Sequence, residues 1–89
     1  MAREADQIAQ DHAAMLGSVS VITSVIATHN KGSDATSEDF GHDMTHDEKK
    51  ARVTRSNGYL VHMKALEDWG SESFTEIDAA ISAANSFTA

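Results

Sequence analysis

Eighty-nine residues make one small domain, because typical domains run to about 100–150 residues. The chain is 40% apolar and 24% charged, a globular composition, and it holds neither cysteine nor proline, which removes disulfides, thiolate metal sites and cysteine nucleophiles together. Fourteen acids against seven bases give a net charge of −7, and direct nucleic-acid binding is not expected, since phosphate affinity needs surplus Lys and Arg.

The N-terminus, Met1-Ala2-Arg3-Glu4-Ala5-Asp6, is acidic and lacks an apolar run, so no signal peptide is expected. Residues 3–30 read as one long helix. Ala5, Ile8, His12, Met15, Val19, Ile22, Ile26 and His29 recur at alternating spacings of three and four, the seam of a helix packed on another helix. Leu16, Val21 and Val25 widen that stripe, which leaves Ala13, Gly17, Ser20, Ser24 and Thr28 as an opposite strip of small residues. A strand over Val19–Ile26 competes, because β-branched residues favour sheets. The helix prevails because the seam continues upstream through good helix formers, and no second strong strand exists to pair with it. His12 to Asn30 contains no Asp, Glu, Lys or Arg. A bilayer span needs about 20 mostly apolar residues, whereas this stretch carries many Ser and Thr, two His and an Asn. A core helix of a soluble protein is the expectation, and membrane contact is not expected.

Asn30-Lys31-Gly32-Ser33 is a stop signal, followed by a polar, acidic loop over about 31–45 in which Phe40 is the expected anchor. Thr45-His46-Asp47-Glu48 is a capping-box pattern opening a second helix over about 46–69, with Val53, Tyr59, Leu60, Met63 and Leu66 on its apolar arc. Asn57-Gly58 in its middle predicts a kink or break, since glycine costs about 1 kcal/mol there relative to alanine. Ser73 to Glu76 repeats the capping-box spacing and opens a third helix over about 73–87, with Phe74, Ile77, Ala80, Ile81, Ala84 and Phe87 on one face. The fold expected is therefore all-α: a single three-helix domain over 1–89 with a long N-terminal helix.

Few residues suggest chemistry. His42 and His46, each followed by aspartate, are weak candidates for a divalent metal, against the plainer reading of a solvated acidic loop. No strand–turn–helix elbow, Gly-rich phosphate loop or paired-histidine metalloprotease motif occurs, so no catalytic residue, cofactor or enzyme activity is expected. His12 and His29, at seam positions, read as edge histidines covering apolar surface.

Charge is arranged in blocks. Asp34, Glu38, Asp39, Asp43, Asp47 and Glu48 come without a base; Lys49, Lys50, Arg52, Arg55 and Lys64 then come without an acid; Glu67, Asp68, Glu72, Glu76 and Asp78 follow. Such blocks either match within one chain or fix the register of neighbouring copies. The surplus apolar arc, with Val21 and Val25 at its edge, points to contact between chains, and Lys49, Lys50, Arg52 and Arg55 are the charged interface candidates. The expectation is a small non-enzymatic structural or assembly protein that packs on copies of itself or on a larger partner. By analogy with small helical proteins of that kind, it would be an accessory component of a virus (phage) particle. The alternative is an acidic phage-type inhibitor of a host nucleic-acid-binding complex, against which the intervening basic block speaks.

Overall fold

The computed structural model describes residues 4–66 and 69–89. It is all-α, with α1 at Ala5–Lys31, α2 at His46–Lys64 and α3 at Thr75–Phe87, and a 3-10 turn at Gly32–Asp34. No strand occurs among the described residues. Each helix packs on both others around one core of Met15, Ile22, Val25, Val53, Leu60, Ile77, Ala80 and Ala84. Fully burying a side chain such as Ile22 or Leu60 contributes about 1.5–3 kcal/mol.

The seam of α1 is centred differently from its sequence pattern. Met15, Ile22, Val25 and Thr28 are the buried positions, while Val19, Val21 and Ile26 are only partly covered. Val25, expected at the edge of the stripe as a contact between chains, is 0% exposed and belongs to the core. Thr28, placed on the small outer strip by periodicity, is buried as well. Its hydroxyl lies 2.9 Å from the Ser24 carbonyl and 2.7 Å from that of Phe40. Those bonds satisfy a polar group that would otherwise be costly to bury.

Helix α1 ends as its sequence predicts. Gly32 takes φ +56°, a left-handed conformation that glycine adopts without steric cost, and its N–H reaches the His29 carbonyl. The acidic loop then folds on itself instead of running free. Asp39 accepts from the Thr36 N–H at 2.8 Å and from Lys31 Nζ at 2.6 Å. The expected anchor, the Phe40 ring, is 45% exposed; the carbonyl of that residue makes the anchoring bond. Gly41 completes the turn at φ +81°, where an added Cβ would sit 3.4 Å from Met44 Sδ and 3.7 Å from Val25 Cγ2.

The capping box at the start of α2 is present in both directions: Glu48 N–H to Thr45 Oγ1 at 3.1 Å, and Thr45 N–H to Glu48 Oε1 at 2.8 Å. Two orphan donors are thereby satisfied. The expected break at Asn57-Gly58 does not occur, because α2 runs unbroken across it and Asn57 Nδ2 bonds Asn85 Oδ1 of α3 at 2.9 Å. α2 ends at Lys64, earlier than expected. Beyond Met63, Lys64 stands where an apolar residue would continue the seam, and Tyr59 and Leu66, both assigned to the arc, are exposed. Part of the expected extension, Glu67 and Asp68, lies outside the described residues.

The second capping box does not form. Phe74, not Ser73, is the N-cap of α3, and no side chain caps it. Aromatic packing takes precedence there. The Phe74 ring meets Trp69 edge-on at 5.4 Å and His12 at 5.9 Å, and the His12 Nε2–H donates to the Ser73 carbonyl at 2.7 Å. These contacts fix the backbone into α3 through tertiary interactions, overriding the local cap.

By length and composition alone, Ala5–Asp34 is long and apolar enough to cross a membrane, with mean hydropathy 1.2 over its best window; 22% of that window is buried within the chain.

Candidate functional site

Among the described residues, several surface depressions and a ring cluster stand out, one depression of about 210 Å³ being lined by His12, Leu16, Ser73, Thr75 and Glu76. Another is an open groove of about 450 Å³ between α1 and α3, lined by Val19, Thr23, Glu76, Ala79, Ala80 and Ala83. Its origin is compositional. Alanines at 79, 80 and 83 bring the wall of α3 close to its backbone, and Thr23 turns its hydroxyl back on the Val19 and Ser20 carbonyls at 3.0 and 3.1 Å. The floor is thus apolar, and Glu76 is the one charged group that lines it. A further depression, about 400 Å³, lies between α2 and α3 beside Val61, Lys64, Ala65 and Ile81, and it carries Val61 at 50% exposure.

The ring cluster joins three chain segments. His29 in the last turn of α1 stacks on His46, the first residue of α2, with centroids 4.4 Å apart and planes at 21°. Phe87 at the end of α3 presents its ring edgewise to both, at 5.1 Å from His29 and 5.8 Å from His46. Loss of hydration in this contact, followed by the charges of His46 and Lys49, holds the His29 imidazole below its ordinary pKa.

Sequence-derived candidates scatter over these places. Val21 is partly covered and packs against the core beside the fully buried Val25. The basic block faces in more than one direction. Arg52 sits 6.0 Å from the centroid of the Phe40 ring, a cation–π distance. Lys64 reaches Asp78 of α3 at 2.6 Å. Lys49, Lys50 and Arg55 have no carboxylate within ion-pair distance among the described residues. Within the chain the basic block meets the acids through Lys64–Asp78, and Lys31, outside that block, meets Asp39; among the described residues the other bases of the block pair with no carboxylate.

His42 and His46 are engaged separately. His42 Nδ1 lies 3.0 Å from Asp43 Oδ1, whereas His46 is committed to the stack on His29. Among the described residues, no three His, Asp or Glu side chains converge as a metal site would require. The groove between α1 and α3 was not legible as a site. Its sequence signal is the thin centre of α3 alone, since the α1 lining, Val19 and Thr23, lies outside the small strip; Ala80 and Ala84 form the buried side of α3 while Ala79 and Ala83 are exposed.

The chain matches no protein-family model, no curated protein and no solved structure.

Proposed function

We propose that this chain is a small non-enzymatic assembly protein that works by helix packing against copies of itself or a larger partner. The observation that carries the reading is the α1–α3 groove: wide, apolar, floored by alanines and bearing one carboxylate. Small residues let a partner helix approach closely, and desolvating such a floor costs little because few polar groups lose water. The lining supplies no histidine, lysine or nucleophilic pair for bond-making. A chain of this size also gains from association, since a single core below about 70–80 residues rarely supplies more than about 3–5 kcal/mol and this one is little longer.

Lys49, Lys50 and Arg55, which meet no carboxylate at ion-pair distance among the described residues, and the exposed acids Asp34, Glu38 and Asp43 suit charge-matched neighbours, because complementary blocks steer encounter and set register. Within the class of assembly proteins, an accessory role in a virus particle rests on size and analogy alone. The inhibitor alternative is weakened by the bases that sit on or beside the acidic loop, Lys31 and Arg52. A phosphate mimic needs a uniformly negative face.

Light scattering on the wild type and on Ala83→Glu tests the reading. Ala83 is exposed, so the substitution leaves the fold intact while placing a second carboxylate beside Glu76 in the groove. The expected result is a wild type that grows in mass with concentration and a variant that does not. A monomeric wild type at every concentration removes self-assembly and favours the inhibitor.

A further inference from the structure

The stacked imidazoles are not used by the assembly reading, yet they join the end of α1, the start of α2 and the end of α3. We propose that the His29–His46 stack is a proton-sensitive clasp, closed when both rings are neutral and loosened when they are charged.

Geometry carries the argument. Neutral imidazoles stack face to face at 4.4 Å without penalty, and Phe87 edges against both. Two imidazolium rings at that separation repel one another. The surroundings offer little compensation. On α1, Lys31 is the nearest cation in sequence and is held by Asp39. On α2, Lys49 adds positive charge at His29, the Glu48 carboxylate is occupied by the Thr45 N–H, and Asp47 is exposed. α2 also points its positive helix end at His46, whereas the C-terminal end of α1 favours a cation at His29. α3 contributes Phe87, and its last turn, Ala84 to Phe87, has no ionisable side chain. From the loop, Asp43 is taken up by His42.

The sign follows from linkage. The pKa of His29 is lower in the folded chain than in the unfolded one, so its contribution is fully present above about pH 6.5 and is lost as pH falls through the depressed folded value. Acid therefore loosens this end of the bundle first, while the contacts of Met15, Leu60 and Ile77 stay apolar and indifferent to protons.

The test pairs imidazole titration by NMR with thermal melts at about pH 7.5 and about pH 5, on the wild type, His46→Phe and His46→Gln. His46→Phe keeps a ring on His29 and removes the charge. The expected result is a His29 titration below the ordinary histidine range in the wild type, moving upward in both variants. The drop in melting temperature on acidification should shrink about twofold or more in both. All three chains keep His12, His42 and His62, so those residues cancel in the comparison. A His29 titration that ignores the substitution at position 46, or an acid-induced drop unchanged in both variants, overturns the proposal. The titration is read on folded protein, so it decides the matter even where a variant melts early.

Discussion

The two sides of α1 meet opposite fates. The inner side places Met15, Ile22 and Val25 at 0% exposure and seals even a hydroxyl, Thr28, by hydrogen bonds to two carbonyls. The side that turns toward α3 shows Thr23 to water, leaves Val19 only partly covered and, with Ala79, Ala80 and Ala83 of α3, borders an open groove. Both lie on one helix of one composition class. Side-chain volume makes the difference: large apolar groups fill the space to α2 and α3, whereas the alanines of α3 leave room beside Val19 and Thr23. The inner side is committed to the fold, and the side toward the groove is left open by it.

Charge placed on the inner side should break the contrast most severely. Val25→Glu buries a carboxylate with no partner, at a cost of several kcal/mol, and circular dichroism should show the helical signal lost in dilute solution. Leu60→Ala, a truncation in the same core, should lower stability by about 2–5 kcal/mol in urea unfolding with the helical fold retained. Thr28→Val keeps the shape but leaves the Phe40 carbonyl without its donor. About 1–3 kcal/mol should go, with proteolysis at the acidic loop accelerating. Thr45→Ala removes half the capping box for about 0.5–2 kcal/mol.

The smallest effect belongs to acid titration of the two hydrogen-bonded carboxylates. Asp39 is held below the usual carboxylate range first by its bond from Lys31, then by the Thr36 N–H; Glu48 is held low by the Thr45 backbone and hydroxyl. Each contributes stability that is present above the ordinary pKa of about 4 and is lost as pH falls through the lower folded value. Asn substitution at Asp39 should flatten the stability curve below about pH 4 while leaving the His29 titration in place.

Much of this fold is legible in the sequence. The three helices, the Gly32 stop and the Thr45–Glu48 box follow from spacing and cap chemistry, because each is a local property of a few consecutive residues. The centre of the α1 seam does not follow. Val19, Val21, Ile22, Val25 and Ile26 are apolar on most of the circumference, so periodicity alone cannot decide which of them faces inward, and the positions of α2 and α3 choose Val25. Thr28 is a case of tertiary partnership, since its burial depends on a carbonyl twelve residues away. The start of α3 misleads for a related reason: Ser73 and Glu76 have the spacing of a cap, but packing of Phe74 on Trp69 and His12 sets the backbone there. The groove was the least legible feature, because it is made of what α3 lacks in volume beside a distant segment, and no spacing rule records a missing side chain.

Methyl NMR spectra of the full chain across a concentration series test the central claim at residue level. The account predicts shifts that grow with concentration at Val19, Thr23, Ala79 and Ala83, while Val53 and Leu60 in the core stay still. Spectra independent of concentration would contradict it, as would shifts confined to Val61, Ala65 and Ile81 at the α2–α3 depression.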